Sequence, residues 1–98
     1  MQLSALLLEA ESASPTQRIE WRDRIAAHGA VAIEEVRPWL RNPELAAFAV
    51  RVIERAGVEG EPDLAIEALK ASRSKVPAPV KADVDWALRR LKVLSAES

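Results

Sequence analysis

The sequence predicts an all-α chain, a short stack of about six helices, on three observations. Ala, Leu, Glu and Arg dominate the composition, while the β-branched residues are scattered rather than set in alternating runs. Pro and Gly punctuate the chain where helices start and stop. Apolar residues recur at helical spacing within the pieces so defined. No segment reads as a strand.

The pieces fall at about 2–12, 16–28, 30–41, 44–56, 62–73 and 79–95. The first carries Leu3, Leu6, Leu7 and Ala10 on one face. Ser14-Pro15-Thr16 supplies a cap and a helix-starting Pro for the second. Gly29, just past that helix, is suited to the left-handed conformation that ends one. The third holds Ile33, Val36 and Leu40, and Pro38 inside it predicts a kink, because its ring lacks an N–H and crowds the preceding turn. Asn42-Pro43-Glu44 closes the third helix and opens the fourth, whose stripe is Leu45, Phe48, Ala49, Val52, Ile53 and Ala56, with Gly57 read as its stop. The last helix has the clearest period: Val80, Val84, Ala87, Leu88, Leu91 and Leu94. Connections this short make successive helices antiparallel neighbours, as in a helical hairpin or solenoid.

At 98 residues the chain is expected to form one domain, 1–98, with room for one core and little for a large cavity. Cysteine is absent, which excludes disulfides, thiolate nucleophiles and sulfur-built zinc sites. The apolar run Leu6 to Leu8 has no basic leader and stops at Glu9, so a cytoplasmic protein is expected. No stretch approaches the roughly 18–20 apolar residues that span a bilayer, so no membrane role is expected. Net charge is −1, but positions 70–92 hold seven bases and two acids while positions 1–69 carry a net −5. The basic end leaves nucleic acid open as a partner although the total argues against it.

The chain repeats itself. Ile25-Ala26-Ala27-His28-Gly29, followed by Ala32-Ile33-Glu34-Glu35-Val36, matches Ile53-Glu54-Arg55-Ala56-Gly57, followed by Ala65-Ile66-Glu67-Ala68-Leu69. The offset is 28 residues in the first half and 33 in the second, through a longer linker over Val58 to Pro62. Asp85-Trp86-Ala87-Leu88-Arg89 echoes Glu20-Trp21-Arg22-Asp23-Arg24. On these residues the chain resembles the HEAT-repeat superfamily in its short bacterial form, over about positions 16–94, with about two and a half units. The resemblance implies a short right-handed α-solenoid of HEAT-like antiparallel helix pairs. It also implies a scaffold whose exposed helix faces bind protein, peptide or nucleic acid. In such a stack the core forms between units and the end helices act as caps.

Residues that carry chemistry in other proteins are present but unsupported. His28, the only imidazole, has no second His or Cys beside it and suits a helix C-terminus, where a partly cationic ring meets the dipole. Glu34 and Glu35 point about 100° apart on a helix and do not converge. Glu59, Glu61 and Asp63 lack the ligand series of a calcium loop and read as acids at a helix start. No phosphate loop, nucleophile elbow or Cys–His pair occurs. The expectation is therefore a noncatalytic chain without cofactor or metal.

The tryptophans are the stronger lead, because Trp anchors protein contacts more often than its abundance suggests. Trp21 shares a face with Ile25 and His28, which assigns it to the core. Trp39, beside the Ile33, Val36 and Leu40 stripe, covers the core's edge. Trp86 lies away from the Val84, Leu88 and Leu91 stripe, near Arg89, Arg90 and Val93, and is the first candidate for an exposed anchor. The function expected is a protein-interaction module or scaffold, with Trp86, Arg89, Arg90 and Trp39 as contact residues. The alternative is an accessory nucleic-acid-binding module using Lys70, Arg73, Lys75, Lys81, Arg89, Arg90 and Lys92 as one basic face, unless Asp83 and Asp85 balance them. Self-association through open ends of the stack is a third possibility.

Overall fold

A computed structural model describes residues 2–97, with side chains for 2–95. The described residues form helices and turns and no strand. In chain order they are α1 (Leu3–Ser12), α2 (Pro15–Ala26), α3 (Ala30–Val36), a 3-10 turn over Arg37–Arg41, α4 (Ala46–Glu59), α5 (Pro62–Ser72), a second 3-10 turn over Ala78–Val80 and α6 (Lys81–Glu97).

Local chemistry sets most of these boundaries. Ser14 caps α2 by accepting the Gln17 N–H at 3.3 Å, while the Gln17 side chain accepts the Ser14 N–H at 3.5 Å, and Pro15 occupies the first turn. Gly29 takes φ +63 between α2 and α3, where any side chain would be strained. Pro38 converts the end of the third helix into the 3-10 turn, the bend its position predicts. Asn42 Oδ1 accepts the Glu44 N–H at 2.9 Å, which turns the chain and delays α4 to Ala46, two residues beyond the expected start.

Gly57 departs from its expected role. Helix α4 runs through it to Glu59, and Gly60, at φ +156, ends the helix instead. The Glu61 N–H then returns to the carbonyls of Ala56 and Gly57 at 3.2 Å each. Val58 and Glu59, read as linker, are therefore helical. Gly57 is buried in the interior of α4, and a β-carbon there would stand 2.6 Å from Leu91 Cδ2 and 2.7 Å from Ala65 Cβ. The residue is required by close packing of α4 against α5 and α6.

Helix α4 is the hub. It packs on α2, α3, α5 and α6, and its buried side chains include Phe48, Val50, Val52 and Ile53 in addition to small residues. Helices α2, α4 and α6 lie side by side with α4 in the middle, while α3 and α5 touch each other and each packs on α4. The repeated positions share their burial: Ile25 with Ile53, Ala32 with Ala65, and Val36 with Leu69 are all inaccessible. In α6 the stripe Val80, Val84, Ala87, Leu88 and Leu91 is buried, but Leu94 is exposed, because the last turns of α6 run past the core.

Arg18 ties three elements together. Its guanidinium is buried at 7% exposure and donates from Nε to the Ala10 carbonyl at 2.7 Å and from Nη2 to those of Ala13 at 2.8 Å and Glu11 at 3.5 Å. Nη1 reaches the Glu44 carbonyl at 3.4 Å, in the turn before α4. The last carbonyls of a helix lack partners within it; that of Ala10 also accepts the Ala13 N–H at 3.3 Å, and a cation there complements the helix dipole. No described buried side-chain polar atom is left without a partner.

Candidate functional site

Three of the four expected contact residues, Trp86, Arg89 and Arg90, lie on α6 beside its junction with α4. The buried stripe of α6 turns Trp86 outward, 64% exposed, and sets it across a shallow groove from Val50, Arg51 and Glu54 of α4, with Asp83 and Arg90 completing the lining. The Arg89 guanidinium lies 5.7 Å from the Trp86 ring centre, a cation–π distance that restrains both side chains while leaving them in solvent. Val93, two turns beyond Trp86 on the same helical face, is 58% exposed. An aromatic ring, a guanidinium and an aliphatic side chain thus form one outward stripe.

A second groove continues from the first across α4 toward α2. It is lined by Arg22, Arg51, Glu54, Arg55, Val58 and Arg90, with Arg51, Glu54 and Arg90 common to both. Most of these charges are already matched. Arg90 donates to Glu54 at 2.8 Å, joining α6 to α4. Asp23 lies 3.1 Å from Arg22 and 3.6 Å from Arg55, and Arg55 also donates to Glu59 at 2.7 Å. The hydrogen bond to Glu59, then the charges of Asp23 and Glu59, raise the pKa of Arg55. Arg51 and Arg89 have no ion-pair partner within 4 Å among the described residues.

Two of the seven bases of the expected basic face, Arg73 and Arg90, are held by acids. Arg73 forms a double hydrogen bond with Asp85, at 2.7 and 3.0 Å, and Arg90 turns to Glu54. The Arg73 hydrogen bond is the main cause that holds the Asp85 carboxyl below its ordinary pKa, against the desolvation that raises it, with the charges of Arg73 and Arg89 adding. Asp85 thus serves as the balancing acid allowed for in the sequence.

The remaining candidates separate. Trp39 is half-buried, its ring centre 6.2 Å from that of Phe48, and packs against the core rather than projecting from it. Trp21 is also half-buried, with Arg24 5.2 Å from its ring centre, the same Trp-x-x-Arg arrangement that Trp86 and Arg89 make in the echoed segment. His28 is exposed in the turn after α2, and its backbone N–H donates to the Ile25 carbonyl at 3.0 Å. Among the described residues no group of three or more His, Cys, Asp or Glu is placed to hold a metal ion. Compared with protein-family models, with curated proteins and with solved structures, the chain matches none of them. No described helix is long and apolar enough to cross a membrane.

Arg51 was missed in the sequence. It stands three residues before Glu54, and that spacing suggests an ordinary pair on one helix. Glu54 turns instead to Arg90 of α6, a partner 36 residues away.

Proposed function

We infer that this chain is a noncatalytic helical-repeat module that binds another protein through the α4–α6 face, with Trp86 as its anchor. The observation that carries the reading is Trp86, a large aromatic held 64% in solvent in a chain that buries most of its apolar side chains. Exposing an indole forgoes much of its burial energy, and Trp and Arg are, with Tyr, the residues enriched among the side chains that dominate protein interfaces. The arrangement of α2, α4 and α6 side by side, with α3 and α5 packed on α4, supports a short HEAT-like solenoid of antiparallel helix pairs. A smallest extent of 19 Å suits two layers of helices. In this reading Arg89 and Arg90 frame the anchor, while Trp39, packed against the core and Phe48, stands outside this contact.

The test compares wild-type protein with Trp86→Ala as immobilised baits, in extract of the source cells with and without nuclease treatment, at low and high salt. Trp86 is exposed, so the substitution is expected to leave thermal stability within about 0.5 kcal/mol. A partner retained at high salt by the wild type and lost by the variant is the expected result. Equal retention by both proteins would remove Trp86 from the account, and retention that collapses with salt or nuclease would transfer the function to nucleic acid.

A further inference from the structure

We propose that the cleft between the end of α3, the 3-10 turn of Arg37–Arg41 and the end of α5 binds a small carboxylate, held by the Arg37 and Arg41 guanidiniums and the Ser72 hydroxyl. The cleft encloses about 410 Å³ and is lined by Glu34, Arg37, Pro38, Arg41 and Ser72. It shares no residue with the two grooves at α4, so it stands independently of the interaction reading above.

Ser72 carries the assignment. It is the last residue of α5 and is buried, at 8% exposure, yet its hydroxyl makes no hydrogen bond to a described residue. A serine this deep in a helix ordinarily gives its proton to a carbonyl of the preceding turn or to a neighbouring side chain. Backbone groups have taken the carbonyls at this helix end instead: that of Lys70 accepts the Arg73 N–H at 3.4 Å, and that of Ser72 accepts those of Lys75 at 2.9 Å and Val76 at 3.1 Å. No enclosed side-chain polar atom among the described residues lacks a partner, so the Ser72 hydroxyl keeps an opening, and the cleft is the opening it lines.

The two guanidiniums at the cleft are also uncommitted. Arg41 is exposed and has no ion-pair or hydrogen-bond partner among the described residues. Arg37 is half-buried and approaches Glu34 only to 3.6 Å, too far for a hydrogen bond, so its N–H donors stay available. Pro38, which converts the end of the helix to a 3-10 turn, lies between them in sequence and gives the cleft its apolar wall. Arg37 and Arg41 against Glu34 leave the lining with a net charge of +1. That balance suits a singly charged carboxylate, whose two oxygens match the parallel donors of a guanidinium and leave a lone pair for the Ser72 O–H. A doubly charged phosphate monoester would meet the Glu34 carboxylate as well.

The test follows the amide NMR shifts of isotope-labelled protein during titration with benzoate, with benzamide as the uncharged analogue and phenyl phosphate as the dianion, at constant ionic strength. The variants are Ser72→Ala, Arg41→Gln and, as a control, Arg89→Gln on α6. Benzoate is expected to shift the Arg37, Arg41 and Ser72 amides saturably, benzamide to shift none of them, and phenyl phosphate to bind more weakly than benzoate. Arg41→Gln should weaken benzoate by about tenfold and Ser72→Ala by about fivefold or more, while Arg89→Gln should leave it within about twofold. Because the hydroxyl has no internal partner, Ser72→Ala should leave the urea midpoint unchanged or raise it. A lowered midpoint with unchanged benzoate affinity would assign the hydroxyl to the fold and overturn the proposal. Shifts that fail to saturate or that spread over arginines elsewhere, an equal response to benzamide, or tighter binding of phenyl phosphate overturn it too.

Discussion

Replacing Gly57 with alanine is expected to destabilise the protein by about 1–3 kcal/mol, although the same change in an ordinary helix interior stabilises by about 1 kcal/mol. The reversal comes from the 2.6 and 2.7 Å approaches that a β-carbon would make to Leu91 and Ala65. Leu91 Cδ2 is the tip of a side chain and can rotate, but it is fully buried and has little free space to enter. Ala65 Cβ is fixed to the α5 backbone, so relief requires α5 to move away from α4. Gly57→Val adds two methyl groups at the same point and is expected to cost more, to the extent of leaving little folded protein. Urea denaturation followed by circular dichroism measures both changes. A Gly57→Ala midpoint above that of the wild type would show that the helices stand further apart than described. Gly60→Ala serves as a contrast, since its β-carbon has open space and its cost is confined to the positive φ.

Arg18→Met is expected to cost about 2–4 kcal/mol, because it removes the guanidinium donor from four carbonyls, those of Ala10, Glu11, Ala13 and Glu44, of which Ala10 keeps the Ala13 N–H. Methionine keeps most of the buried volume, so the loss reports the hydrogen bonds rather than a cavity. Arg18→Lys retains the charge but cannot span carbonyls on α1 and before α4 together, and should fall between the two. Hydrogen exchange should locate the damage: α1 amides lose protection first, while the Val52 and Ile53 amides exchange with the global opening. Uniform loss across all helices would mean that α1 is no separate unit and that Arg18 is not its lock.

The helical pattern was readable because each helix writes its own local signals. Ser14 and Gln17 name the start of α2, Gly29 its end, and the stripes of α4 and α6 the faces they bury. What escaped depends on pairs of helices. Gly57 looks like a stop because it occupies the position that Gly29 holds in the matched segment, and only the proximity of Leu91 and Ala65 reveals its other role. Arg18 has Ser14, Pro15, Trp21 and Arg22 at its helical neighbours, so its lack of a nearby acid was visible, but its carbonyl partners were not. The candidate site divides in the same way. The helical period placed Trp86 outside the stripe of α6, whereas the convergence of Arg22, Arg51, Arg55 and Arg90 from three helices has no signature in any one of them.

The central claim, that the α4–α6 face is where this protein meets another, is tested most directly by photo-crosslinking in the source cells. A benzophenone amino acid is placed at position 86 in one protein and at position 35, on α3, in another, and the adducts are identified by mass spectrometry. The account expects a discrete protein adduct from position 86 that is absent from position 35. Adducts that are the same from both positions, or that form on nucleic acid alone, would contradict it.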